Sequence, residues 1–167
     1  METPENPESR ENPETRENPE PVRLDPTPEE VAEVDRRAAA LRDQPESFAA
    51  MDALWRSVYA LERWIFIARG TDEAPSPYAG ELPQGPMLFA FTTAERAHSC
   101  ALAQGLTEEE ASKLLAVPLP SAIEWAASFS SVGIHGITFD MPAYGYFAPL
   151  TNLLPMRDFM AQNPPAE

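Results

Sequence analysis

Two short stretches of continuously apolar sequence constrain the fold of this chain more than any other feature. Residues 64–68 (WIFIA) and 87–91 (MLFAF) contain aromatic side chains and no polar residue. Strands that face water on one side alternate apolar and polar residues, whereas strands covered on both faces are apolar throughout. These stretches therefore predict strands of a sheet that are buried on both faces.

Helix signals surround the two strands. A threonine followed three residues later by a glutamate is a capping box, which marks the start of a helix, and it occurs at Thr27, Thr92 and Thr107. A second helix is predicted from about residue 46, with Phe48 and Met51 at the start of its apolar stripe. A terminal helix is predicted over residues 150–160, kinked or split at Pro155.

The predicted order of elements is α-α-β-β-α-α-β-α-β-α, with the later strands at residues 114–119 and 134–139. Residues 70–86 hold four prolines and three glycines and are predicted to be mostly loop. The first two strands are expected to be antiparallel, and the β-α-β-α-β run that follows implies right-handed parallel crossovers. The sequence therefore predicts an α/β fold: one mixed sheet of four or five strands with helices packed on it and extra N-terminal helices.

The N-terminus is a tandem hexad repeat. Residues 5–10 read ENPESR, residues 11–16 read ENPETR, and a variant follows over residues 17–23. Proline every six residues opposes helix and sheet, and there is almost nothing apolar to bury. We expect residues 1–26 to be a disordered tail, residues 27–162 a single domain and residues 163–167 a disordered end. The tail is interpreted as a solubilising segment or, through its PxxP pattern, as a partner-binding arm.

The chain is strongly acidic, with a formal net charge of −15. Polyanions such as nucleic acids and anionic lipid surfaces repel such a protein at long range, so neither is an expected partner. The single cysteine, Cys100, excludes an intramolecular disulfide and a Cys-based zinc site. The sequence shows no secretory signal and no membrane-spanning stretch. We therefore expect a soluble cytoplasmic protein of unknown oligomeric state.

Several of these segments, taken in order, resemble the SseB N-terminal-domain family of bacterial proteins. The resemblance covers roughly residues 54–154 and is carried by 54–55 (LW), 63–69 (RWIFIAR), 89–92 (FAFT), 95–97 (ERA), 117–119 (VPL), 133–139 (GIHGITF) and 147–150 (FAPL). The family is named for an enhanced-serine-sensitivity phenotype, and the same name is used for a component of a secretion translocon. The resemblance implies a single SseB-like domain and transfers no activity or catalytic residue.

Motifs for catalysis or cofactor binding are absent from the sequence. There is no GxSxG elbow, Walker loop or GxGxxG fingerprint. His98 and Cys100 are two residues apart on a predicted helix and so point to different faces. The acidic run at residues 108–110 stands at a predicted helix start, where it favours the helix dipole. We expect no catalytic residue, no metal site and no cofactor, and hence a protein that is not an enzyme.

An aromatic stretch at residues 142–149 (PAYGYFAP) is the strongest candidate for a functional surface. If it is exposed, Tyr144, Tyr146 and Phe147 would bind a protein partner, since aromatic residues are enriched at interfaces. The alternative is that alternate side chains of a short strand pack on the sheet.

Three functional hypotheses remain open at this point. The first is a non-catalytic cytoplasmic protein-interaction or regulatory module. The second is a small-molecule-binding or enzymatic domain with a cleft at the carboxyl ends of the parallel strands, where we expect His135 and Asp140. The third, a type III secretion-associated component, depends only on the shared family name.

Overall fold

The computed structural model describes residues 25–165. Its helices are α1 (Pro28–Asp43), α2 (Phe48–Tyr59), α3 (Ala94–Ala103), α4 (Glu108–Ala111), α5 (Ser121–Ser128) and α6 (Leu153–Gln162). Its strands are β1 (Arg63–Gly70), β2 (Pro75–Pro77), β3 (Ala79–Leu82), β4 (Gly85–Phe91), β5 (Leu114–Pro118), β6 (Gly136–Phe139) and β7 (Tyr146–Pro149). Short 3-10 helices cover Phe129–Val132 and Leu150–Asn152. The predicted tail up to residue 24 and the last two residues lie outside the described residues.

All seven strands belong to one mixed sheet, so the predicted α/β class is confirmed, with more strands than expected. Its main strands lie in the order β5-β1-β4-β6-β7. β1 is antiparallel to β4 and to β5, β4 is parallel to β6, and β6 is antiparallel to β7. Strands β4, β5 and β6 therefore run in the same direction, as the crossover pattern predicted, although β1 separates β5 from the other two.

Helices cover both faces of the sheet, which explains why β1 and β4 are apolar throughout. On one face Trp64, Phe66 and Phe139 pack against α1, α2, α5 and α6. On the other face Ile65 and Ile67 pack in a second core that α3 and α4 complete. Successive residues of a strand point to opposite faces, so each central strand contributes to both cores.

The predicted loop over residues 70–86 is largely strand, which corrects the sequence interpretation. The segment passes between β1 and β4 where the two diverge. Tyr78 links the neighbours, because its N–H donates to the Ile67 carbonyl at 2.9 Å and its carbonyl accepts from the Phe89 N–H at 3.2 Å. β2 pairs with β1 and β3 pairs with β4. The pairing is short enough to tolerate Pro75 and Pro77, which have no N–H to donate.

Two helix details also differ from the predictions. α6 is not split at Pro155, because that proline lies in the first turn, where a missing N–H breaks no helical hydrogen bond. The N-cap of α3 is Thr93 rather than Thr92: the Thr93 hydroxyl accepts from the Arg96 N–H at 3.2 Å. Arg96 therefore takes the third helical position, and Thr92 is left outside the helix.

Candidate functional site

The carboxyl ends of the parallel strands β4 and β6 meet at one edge of the sheet, where open α/β sheets commonly bind ligands. Thr92 directly follows β4 and Asp140 directly follows β6. The Asp140 N–H donates to the Ala90 carbonyl at 3.0 Å, which holds the two strand ends together. Asp140 thus lies at the edge where the sequence places it.

A polar network fills this edge. Asp140 Oδ1 accepts from the Thr92 N–H at 2.8 Å, and Oδ2 accepts from the Thr92 hydroxyl and from Arg96 Nη1, both at 2.9 Å. Arg96 also donates to both carboxylate oxygens of Asp35 on α1, at 2.8 and 2.6 Å. The Asp140 side chain is fully enclosed. The network therefore joins two strands to α3 and α1 and leaves no open cleft around the Asp140 carboxyl.

The backbone at Asp140 has a left-handed conformation, with φ of 55°. Aspartate and asparagine tolerate this conformation better than other side chains. It turns the chain out of β6 into a tight connection to β7, in which the Tyr144 N–H donates to the Asp140 carbonyl at 3.0 Å and the Gly145 N–H donates to the Phe139 carbonyl at 2.9 Å. The connection is thus fixed from both ends.

Charge in the network is shaped by burial. Burial raises the pKa of the Asp140 carboxyl above its ordinary value, against the opposing effect of the Thr92 N–H and the Arg96 charge. The pKa of Arg96 is raised, chiefly by its hydrogen bonds to Asp35. Arg96 is therefore permanently cationic and stands between two acids.

His135 does not join this site, which corrects the predicted cleft. It precedes β6, where its N–H donates to the Pro86 carbonyl at 2.8 Å, while Asp140 follows the same strand. A rise of roughly 3.3 Å per residue separates the two residues by about 16 Å. His135 is exposed at the opposite edge of the sheet and cannot act together with Asp140.

The aromatic stretch is divided between core and surface. The Tyr144 ring lies under the guanidinium groups of Arg42 and Arg96, with distances of 5.2 and 5.6 Å to its centroid. Tyr146 is buried and stacks on Phe139 with ring centroids 5.5 Å apart. Tyr146 is therefore wrong as a partner-binding residue, because the alternation of β7 turns it inward. Phe147 is 43% exposed and remains a candidate.

The buried hydroxyl of Tyr146 is the one side-chain polar atom within residues 25–165 that is enclosed without a hydrogen-bond partner. Burial raises the pKa of this phenol well above its ordinary value, and the negative charges of Asp140 and Asp35 act in the same direction. Such unpaired buried groups are rare in folded proteins and lower stability.

An apolar groove runs beside Phe147, between α2 and α6 and over β7. We call it the aromatic–methionine groove; its volume is about 310 Å³, and its apolar side chains include Phe48, Met51, Phe147, Met156, Phe159 and Met160. Phe48 is 62% exposed, Met51 41% and Phe159 42%. The rings of Phe48 and Phe159 meet edge to face across it, with centroids 6.2 Å apart. Four of the six large apolar side chains that the described residues leave exposed therefore converge on one surface.

The sequence interpretation missed this groove. Phe48 and Met51 fit the helical period of the apolar stripe of α2, and periodicity cannot distinguish a core from an open groove. Leu54 and Trp55, farther along the same helix, are indeed buried. The methionines were the one sequence feature that pointed to the groove, because three of the six in the chain line it.

The remaining candidates of the sequence analysis have structural roles. His98 Nε2 lies 2.7 Å from Glu108 Oε1, and Cys100 is buried in the second core. Glu110 and Thr107 form the reciprocal capping box of α4, and Arg69 Nη1 donates to Glu110 at 2.6 Å. Within residues 25–165 no group of three or more His, Cys, Asp or Glu side chains is arranged to hold a metal ion. No helix of the same residues is long and apolar enough to cross a membrane.

Comparisons with known proteins add no further constraint. The chain matches no model of a known protein family. It matches no curated protein and no solved structure.

Proposed function

We propose that the protein is a non-catalytic interaction module that binds a segment of a partner protein in the aromatic–methionine groove. The observation that carries this proposal is the convergence of Phe48, Met51, Phe147 and Phe159, all at least 41% exposed, on one groove. Soluble monomers seldom leave such side chains clustered at the surface, and contiguous apolar patches commonly mark interaction sites. Aromatic residues and methionine are also the apolar side chains enriched at protein interfaces.

The polar edge of the sheet supports the same proposal. A catalytic acid or base must reach a substrate atom within hydrogen-bond distance. The Asp140 oxygens are already occupied by Thr92 and Arg96, and the side chain is enclosed. The network is thus suited to fixing the loop that leads from β6 into β7, rather than to binding a substrate.

The test compares two double variants with the wild type. The groove variant, Phe147→Thr with Phe159→Gln, removes two exposed rings while keeping residue types that suit a strand and a helix. The control variant, Val132→Thr with Leu102→Gln, removes two exposed apolar side chains outside the groove; Val132 is 71% exposed and Leu102 40%. Both variants are expected to fold.

The readout is capture of a partner from a lysate of the source organism, followed by reconstitution of the complex from purified components. The wild type and the control variant are expected to form the same stoichiometric complex, and the groove variant is expected to lose it. A complex that survives the groove substitutions would refute the proposed site. We also propose that the protein is cytoplasmic and belongs to the SseB family, and both stay predictions.

A small-molecule site is the second candidate, favoured by a neighbouring cavity of about 410 Å³ between the end of α1, α2 and β7, which shares three lining residues with the groove. Leu41, Trp55 and Tyr144 provide apolar walls and Arg42 a cation, a combination that suits a small organic anion. A thermal-shift panel of aromatic carboxylates, run on the wild type and on Arg42→Gln, tests it. Stabilisation of the wild type alone would support this reading, and no shift with any compound would reject it.

A further inference from the structure

We infer that the occupant of the aromatic–methionine groove is a basic amphipathic α-helix of the partner protein. This inference rests on the proposed function and adds the chemical class of the partner. Its support comes from the architecture of the groove, from its methionines and from the charges around it.

The architecture favours a helix over an extended peptide. An extended peptide would add to the sheet at β7, which within residues 25–165 is the last strand on its side and pairs only with β6. That edge is four residues long and ends in Pro149, which has no N–H, so it offers few ladder hydrogen bonds. The groove itself is bounded by two helices, α2 and α6, and such grooves accept the apolar stripe of a third helix. Its volume of about 310 Å³ is at the small end of ligand pockets and suits a few side chains.

The methionines make the walls adaptable. Met51 lies on α2, while Met156 and Met160 lie one turn apart on α6. Unbranched thioether side chains change rotamer easily, and surfaces rich in methionine accept helices by repacking around their ridges. The Phe48–Phe159 contact spans the groove and supplies a rigid aromatic bridge against which a partner side chain can pack.

Charge selects a basic partner. Residues 25–165 hold nineteen acids and nine bases, an excess of ten negative charges. Within residues 25–165 no Arg or Lys lines the groove, and the one acid in its wall, Asp52, pairs with Arg56 at 2.7 Å. A helix that carries Lys and Arg beside its apolar stripe is therefore attracted, whereas an acidic helix is repelled. A second copy of this chain, at −15, is repelled as well.

The experiment uses three synthetic peptides of about twenty residues, long enough to be helical when bound. The first has leucines at helical spacing with lysines on both sides of that apolar stripe. The second has the same leucines with glutamates in place of the lysines. The third has the composition of the first in an order that destroys the apolar stripe. Fluorescence anisotropy measures their binding to the full-length wild type, the groove variant and the control variant at physiological salt.

The basic amphipathic peptide is expected to bind the wild type and the control variant at least about tenfold more tightly than either other peptide, a difference of one decade in Kd. The groove substitutions are expected to remove that advantage. Equal binding of the basic and scrambled peptides would overturn the inference, because it would reflect charge alone. If the acidic peptide binds as tightly as the basic one, and the groove variant loses that binding, the basic partner class would be overturned. The groove would still be supported as the binding site. If the groove variant binds the basic peptide as tightly as the wild type does, both proposals would be overturned.

If none of the peptides binds, the captured partner separates the two proposals. A partner that needs the groove and binds through a non-helical or acidic segment would refute the basic helix and support the interaction module. If the wild type binds none of the peptides and captures no partner, both the basic helix and the interaction module would be refuted.

Discussion

The Asp140 carboxylate receives two of its three hydrogen bonds from one residue, Thr92, whose N–H and hydroxyl donate to the two carboxylate oxygens at 2.8 and 2.9 Å. The two residues follow neighbouring parallel strands and are 48 positions apart in the sequence. Their pairing closes the carboxyl edge of the sheet, and Arg96 extends it to α1 through Asp35. The strength of this closure can be measured directly.

Asp140→Asn is expected to lower the free energy of unfolding by about 2 kcal/mol. This is less than the usual cost of breaking a buried ion pair, because Arg96 keeps its ion pair with Asp35. The amide tolerates the left-handed backbone, but its NH₂ group faces the Arg96 donor. Urea denaturation measures the change. Asp158→Asn, which removes an exposed acid paired with Arg157, is the control and is expected to cost less than about 1 kcal/mol. An Asp140→Asn variant as stable as the wild type, or more stable, would contradict this prediction. It would show that the carboxylate does not stabilise the fold, as is common for residues of functional sites.

Tyr146→Phe is expected to stabilise the fold by about 1 kcal/mol, because it removes a buried hydroxyl without a hydrogen-bond partner and keeps the ring that stacks on Phe139. Tyr59→Phe is the matched control, since the Tyr59 hydroxyl donates to the Leu153 carbonyl at 2.8 Å. That variant is expected to lose about 1 kcal/mol. Thermal unfolding monitored by circular dichroism compares the two. A destabilised Tyr146→Phe would show that the hydroxyl has a polar partner in solution.

Glu110→Gln is expected to lower Tm at neutral pH and to make no difference in strong acid. The hydrogen bond from Arg69, with those from Thr107, lowers the pKa of Glu110 from 4.5 to about 2. A pKa that is lower in the folded state stabilises the fold above the unfolded value, and this contribution is lost as the pH falls through the folded value. The difference in Tm between wild type and variant should therefore be largest above pH 5 and shrink toward pH 2. A difference that is constant over this range would show that the charge of Glu110 contributes nothing.

Phe147→Thr is expected to change the free energy of unfolding by less than about 1 kcal/mol, because 43% of the side chain is already in contact with water and threonine suits a strand. Ala148→Asp is the contrasting variant, one residue farther along β7. Ala148 is only 4% exposed, so the aspartate would place a charge in the core and should abolish folding. Guanidinium denaturation of both variants checks the contrast. A large loss in Phe147→Thr would mean that the groove is part of the core.

The central strands were predictable because both of their faces are buried, which leaves an unbroken apolar run in the sequence. β2 and β3 were not, since Pro75, Pro77 and Gly80 are typical of loops and only the divergence of β1 and β4 makes room for them. These strands are fixed by tertiary structure rather than by local preference.

The candidate sites divide in the same way. The position of Asp140 followed from the strand order, but its partner Arg96 was hidden by a one-residue error in the cap of α3, because Thr92 and Thr93 are equally good caps by sequence. Phe147 was found because it lies in a compact aromatic stretch. Phe48 and Phe159 were missed because they are 111 positions apart and meet only in the folded chain.

The alternation of β7 has a consequence for how such a protein can diverge. Tyr146 and Ala148 point into the core, and Phe147 between them is exposed and lines the groove. Mutations at the outward position can be sampled with little loss of folding, while the inward positions hold the strand in register. New surfaces can therefore arise at the outward position over generations within an unchanged scaffold, so that copies of this domain can share a fold and present different side chains at the groove.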